Sequence, residues 1–258
     1  MLTTILSPHL DDAVLSCWHL LAQPGDVIVI NVFAGVPADA SASAWWDRLT
    51  GAGDSAQRVR ERLEEDRQAL ALAGREPVNL GFLDEQYRDV EQPLAPLAAQ
   101  IEARLVPGVH VYAPAAFSGH ADHALVRAAA LELRTRGFVV SLYADLPHAT
   151  FHGWPRWVTG TGTAKSGDLA ARLWERTLAE TGVSPATMAR AVHELDLPSH
   201  AHKLEAVHAY VTQLQGLAEF GGRSLTDRET LGYEVVWSLP VTSTPSPALA
   251  HPRAGPRL

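Results

Sequence analysis

Two short clusters carry most of the chemistry in this chain: His9-Leu10-Asp11-Asp12 close to its start and His120-Ala121-Asp122-His123 far downstream. Neutral imidazoles and a carboxylate suit zinc, and three protein ligands with an open position make a catalytic rather than a structural site. His9, Asp12 and His123 form such a set. The same two nitrogens and one carboxylate also suit ferrous iron. Residues i and i+3 at a helix start lie on one face, so His9 with Asp12, and His120 with His123, can point into a common pocket. Asp11 then flanks the metal without ligating it. Asp122 has two roles open to it: orienting an imidazole through its second nitrogen, or capping a helix. The competing reading of either cluster, an N-cap aspartate beside rim histidines, weakens when both clusters fall at strand ends of one sheet.

The elements that would position them alternate. Apolar runs at 2–6, 27–33, 78–83, 109–113 and 138–143 read as strands, and residues 13–21, 55–73, 94–105 and 123–136 carry helical periodicity. Such alternation implies an α/β fold with a mostly parallel sheet covered on both faces. In that architecture ligands gather at the carboxyl ends of the strands, where both clusters sit. Beyond residue 145 the pattern loosens: 159–167 reads as a flexible connection, 168–180 and 201–220 as helices, 233–239 as an edge strand. Residues 1–239 are expected to form one domain, and 240–258 a Pro-rich disordered tail.

The 258 residues, 47% of them hydrophobic, suffice for one sizeable core. A net charge of −8 without a basic stripe argues against nucleic acid and for a small polar substrate. No apolar stretch approaches the roughly 20 residues of a membrane helix. The single cysteine, Cys17, allows no internal disulfide, and the chain reads as cytoplasmic. Homo-oligomers stay open. A P-loop is excluded because GTGTAKSG lacks the glycine before Lys165; neither G-x-G-x-x-G in the first turn nor G-x-S-x-G after a strand occurs.

As PHLDDA and GHADH, the two clusters resemble the marks of the PIG-L/LmbE-like zinc deacetylases: a His-Pro-Asp-Asp turn after the first strand and a His-x-Asp-His motif after a later one. Leu10 replaces the usual proline and Ala13 a frequent glutamate. RLEED (62–66), LGFLDEQYR (80–88), YADLPHA (143–149) and KLEAVHAYVTQL (203–214) carry the resemblance over most of the chain. It implies a Rossmann-like three-layer α/β/α fold and removal of acetyl groups from N-acetylglucosamine-type sugars. It further implies zinc on His9, Asp12 and His123, Asp11 as general base, and His120 as oxyanion stabiliser and proton donor to the leaving amine. The implied substrate is a small-molecule N-acetylated amino sugar or glycoconjugate, by analogy an intermediate of natural-product biosynthesis. A hydrolase of another amide or ester, and a non-catalytic binding homologue, are the competing functions.

Substrate contacts are sought among Arg62, Asp84, Arg88, Asp89 and His148. The resemblance turns Arg62, in its Arg-x-x-Glu pattern, towards the sugar. The remainder of the charged run 58–67 reads as a solvated helix face. Asp84, Arg88 and Asp89 follow a strand and can meet sugar hydroxyls or pair with one another, and His148 and His152 belong at a pocket rim or on the surface. Trp45, Trp46, Trp154 and Trp157 are candidates for sugar stacking or packing. Val207, Tyr210, Val211 and Leu214 read as a helical core stripe.

Overall fold

The computed structural model describes residues 2–38, 44–117, 119–160, 164–214, 216 and 226–241. Seven strands make one sheet: β1 (Thr3–Ser7), β2 (Val27–Asn31), β3 (Pro77–Asn79), β4 (His110–Pro114), β5 (Val139–Tyr143), β6 (Ala189–Glu194) and β7 (Tyr233–Ser238). Their order is β3-β2-β1-β4-β5-β7-β6; the first five run parallel, and β7 is antiparallel to both of its neighbours. The chain leaves β1 towards β2 and β3, then returns to its other side at β4. That reversal makes the carboxyl ends of β1 and β4 the place where the covering helices diverge and a crevice opens.

The helices are α1 (Asp12–Ser16), α2 (Trp18–Leu21), α3 (Trp45–Leu49), α4 (Ser55–Ala71), α5 (Leu94–Glu102), α6 (Ala121–Thr135), α7 (Arg156–Thr159), α8 (Ala164–Ala179) and α9 (Leu197–Val207), with a short turn of helix at Arg228–Leu231. Right-handed crossovers that run one way from β1 to β3 and the other way from β3 through β4 to β5 put α1 and α4 on one face and α5 and α6 on the other. Accordingly α5 packs on α6, while α1 and α4 both pack on α9. The expected α/β sandwich is present, with Ile5, Leu6, Val29, Ile30, Val111, Val140 and Leu142 fully buried between the layers.

Several expectations need correction. The periodic stretch 13–21 is two helices, broken at Cys17. The break turns the amides of Trp18 and His19 onto the buried carboxylate of Glu234, each at 2.8 Å. β7 is interior rather than an edge strand, because β6, unseen as a strand in the alternating small and polar residues 189–194, pairs along its outer side. The charged run on α4 is not a solvated face: Arg58, Arg62 and Asp66 are buried, and only the intervening charges face water. Asp66 accepts hydrogen bonds from Asn31 Nδ2 at 2.6 Å and the Tyr210 hydroxyl at 2.8 Å. α9 stops at Val207, so Val211 is 71% exposed while Val207 and Tyr210 are buried. α8 begins at Ala164, inside the stretch read as a connection, whose residues 161–163 lie outside the described residues, as do 215, 217–225 and the tail from 242. No helix among the described residues is long and apolar enough to cross a membrane.

Glu234 deserves its buried place because of what it collects: beyond the two amides it meets His19 Nδ1 and Lys203 Nζ, each at 2.6 Å. Burial alone would raise its carboxyl, but Lys203 and His19 outweigh it and hold the group at about 2. The stability it contributes is therefore present above the ordinary value of 4.5 and is lost as pH falls towards 2. Removing one partner of a buried pair strands the other charge, so Glu234→Ala is expected to cost about 3–5 kcal/mol in urea unfolding. The double variant with Lys203→Met should recover much of that loss; equal losses in both would contradict the ion-pair account.

Candidate active site

The turn after β1 is built by its own side chains. Ser7 Oγ accepts from Ala13 N at 3.0 Å and donates to the His9 carbonyl at 2.6 Å, while Asp12 Oδ2 accepts from His9 N at 2.9 Å. These bonds set the corner with Leu10 in the position of the family's proline. They present Asp11 and Asp12 at the start of α1, both buried. After β4, His120 is the N-cap of α6, and its Nδ1 accepts from Asp122 N at 3.2 Å. The neutral His120 ring therefore carries its proton on Nε2. Asp122 sits in the first turn of α6, and its carboxylate, instead of capping, turns across to the first cluster.

The two corners meet at one oxygen. Asp12 Oδ2 lies 3.5 Å from His9 Nδ1 and 3.3 Å from His123 Nε2. One donor atom from each of these residues falls within 4.8 Å of the others. The far nitrogens are held by further carboxylates: His9 Nε2 on Asp122 at 3.1 Å, and His123 Nδ1 on Asp145 at 2.9 Å. In its neutral form each ring therefore carries its proton on the outer nitrogen, towards the carboxylate, and its lone pair on the inner one. His123 is fully buried, and its Nε2 has no hydrogen-bond partner.

Electrostatics follow from this crowding. Burial would lower both imidazoles, but Asp84, Asp12 and Asp122 raise His9 well above its ordinary value, and Asp12 with Asp145 lift His123 to about 9. Asp12 and Asp122, although buried, are held below the usual carboxylate range, chiefly by His123 for Asp12 and by His9 for Asp122. Carboxylates outnumber the imidazoles, and the cluster favours positive charge. An orphaned buried nitrogen, a second imidazole nitrogen and a carboxylate oxygen converge there, and this donor set fits a divalent cation. Beside it, burial first and the Asp12 charge second push Asp11 up to about 6. His120 and His148 go the other way, each to about 4, through burial and the neighbouring imidazoles.

These groups open onto a cavity of about 420 Å³. His9, Asp11, Asp12 and His120 form its polar floor, and Leu10, Leu15, Phe33, Val59 and Leu146 much of its wall. Trp45, Trp46 and Phe151 also line it, the first and last of them exposed. Trp154 and Trp157 pack elsewhere, in a cluster around Trp174. Gly35 lets the loop after β2 lie against the loop after β3, since a Cβ there would stand 2.5 Å from the Gly81 carbonyl oxygen.

The residues sought for substrate separate accordingly. Arg62, Asp84 and His148 line the cavity. Arg62 is buried with Nη2 3.3 Å from Asp47 Oδ1, and Asp84 Oδ2 stands 3.8 Å from His9 Nε2. Arg88 instead pairs with Asp122 Oδ1 at 2.6 Å and stacks over Phe33, a structural role. Asp89 and His152 are exposed and do not line the cavity. Sequence reasoning missed Asp145, Asp47 and Tyr87, whose hydroxyl donates to Asp47 Oδ2 at 2.8 Å. For Asp145 a signal was present: a carboxylate two residues past β5, at the same end of the sheet as both clusters.

The chain is similar to proteins named as deacetylases. A protein from Streptomyces fradiae named 2'-N-acetylparomamine deacetylase is 33% identical over 167 residues, 57% of each chain. One of the same name from Niallia circulans is 28% identical over 186 residues, 57% of this chain and 67% of that one. The match thus spans little more than half of the Streptomyces relative. Among solved structures, a triple mutant of a deacetylase of the teicoplanin biosynthetic pathway superposes with a TM-score of 0.70 at 25% identity, covering 94% of this chain and 99% of that one. The family model described as PIG-L, GlcNAc-PI de-N-acetylase, matches residues 4–133, half of the chain and both histidine corners, and the chain belongs to that family.

Proposed function

We propose that this protein is a metal-dependent hydrolase that removes the acetyl group from the nitrogen of an N-acetylglucosamine-type sugar carried on a small molecule. The observation that carries the reading is the meeting of His9 Nδ1, Asp12 Oδ2 and His123 Nε2 beside a buried Asp11 on the floor of a cavity. The names of the relatives support the substrate class: two are 2'-N-acetylparomamine deacetylases, and a solved structure is a deacetylase of the teicoplanin biosynthetic pathway.

His9, Asp12 and His123 would hold the cation, zinc in our reading with ferrous iron sharing the same donor chemistry. Bound there, it would supply a Lewis acid for the acyl carbonyl and lower the pKa of a water molecule. Asp11, raised by burial, takes the proton of the attacking water. His120 offers its Nε2–H as a hydrogen bond to the oxygen that becomes negative, and the proton that Asp11 has taken from the water passes to the nitrogen that leaves as the amine, so that both groups end as they began. Asp122 and Asp145 keep the two ligand rings in the tautomers that face inward. Arg62, Asp84 and His148 are the sugar contacts this reading retains, with Trp45 and Phe151 at the mouth. A cavity of about 420 Å³ with largely apolar walls suits a sugar carrying further apolar groups. This reading keeps the protein in the cytoplasm, where a buried thiol such as that of Cys17 stays reduced.

Release of acetate from a panel of N-acetylated amino sugars, free and glycosidically linked, tests the reading directly; a fully metal-loaded protein that releases none contradicts it. Asp11→Asn is expected to lower turnover by about 10²–10⁴-fold with the metal content unchanged. Retained turnover would remove Asp11 from the role of base. Asp145→Asn is expected to weaken metal affinity about 10–100-fold in chelator competition, and unchanged affinity would deny it the positioning role.

A further inference from the structure

The sheet has two edges, and they are finished differently. β3 is three residues long and starts at Pro77, whose ring nitrogen cannot donate, so that edge is blunted. β6 has six residues and no proline, and all of them except His193 are exposed. Among the described residues no strand covers its outer side.

The hydrogen-bond phase of β6 shows which groups that side offers. Leu195 N donates to Gly232 O at 2.8 Å, extending the register that pairs Glu194 with Tyr233. Antiparallel pairs alternate, so residues 189, 191 and 193 direct their backbone groups to β7. Arg190, Val192 and Glu194 then direct their N–H and C=O groups outward. Their side chains share one face of the strand. Val192, at the centre, is 38% exposed, with a cation two residues before it and an anion two residues after.

That pattern is self-complementary. A two-fold antiparallel pairing centred on Val192 places it opposite Val192 of the second copy. Each Arg190 then faces Glu194 of the other, in hydrogen-bonded pairs that the backbone phase allows. Moving the centre to 191 or 193 puts a charge opposite Val192 and loses both ion pairs. Charges that guard an edge repel a second copy when they carry one sign; two opposite charges at equal distances from the centre attract it. Within one chain each side chain has only a light engagement to exchange: Arg190 Cζ stands 3.6 Å from the centre of the Trp157 ring, and Glu194 has a 3.4 Å contact with the half-buried Arg228. We propose that the occupant of this edge is a second copy of the chain, and that two seven-stranded sheets join through β6 into one continuous sheet.

Sedimentation of the full chain across micromolar concentrations tests this, with thermal melts of each variant as the control for folding. The wild type is expected at twice the mass of one chain. Arg190→Glu and Glu194→Arg each set like charges opposite one another and are expected to sediment as monomers. An equal mixture of the two restores both ion pairs, as does one chain carrying both substitutions, and each is expected to return to the dimer. A monomeric wild type, a dimer that survives both single reversals, or a mixture that stays monomeric overturns the proposal.

Discussion

Everything at the active site depends on how two imidazoles are held. A histidine ring between carboxylates can present either nitrogen in either direction, and only an outer acceptor fixes which lone pair faces inward. Asp122 supplies that acceptor for His9 and Asp145 for His123, and Asp12 stands between the inner nitrogens. The arrangement spans three strand ends: His9 follows β1, Asp122 and His123 follow β4, and Asp145 follows β5. It exists only because the strand order reverses at β1 and brings β4 beside it.

The scaffold supports the same corner from below. Glu234, on the antiparallel strand β7, receives the first amides of α2 and so fixes where α1 must end, one turn after Asp11 and Asp12. Lys203 on α9 balances its charge in a site without solvent. On the opposite wall, Asp66 ties α4 to β2 through Asn31 and to the segment after α9 through Tyr210, and α4 delivers Arg62 to the cavity. These long-range hydrogen bonds fix how the layers sit on one another, although Asn31 Oδ1 and Arg62 Nε are left without hydrogen-bond partners.

The parallel half of the fold was legible because its strands are continuous apolar runs separated by helical periodicity, and the metal-binding candidates because they fall at fixed offsets after two of those strands. What was not legible depended on partners distant in sequence. Nothing local marks Arg58, Arg62 and Asp66 as buried, since their stripe becomes interior only when α9 and Tyr210 pack on it. β6 escaped because an exposed edge strand has no apolar face to reveal its period. Arg88 and Asp89 looked alike beside a strand, yet one is drawn inward by Asp122 and the other is left in solvent.

X-ray absorption at the metal edge of the purified protein tests the central claim most directly, because it reads the cation's own neighbours. The account predicts two imidazole nitrogens and carboxylate oxygen at about 2.0–2.2 Å without sulfur, and one imidazole fewer in a His123→Ala protein reloaded with metal. A first shell that is the same with and without His123, or one that lacks imidazole, would contradict it.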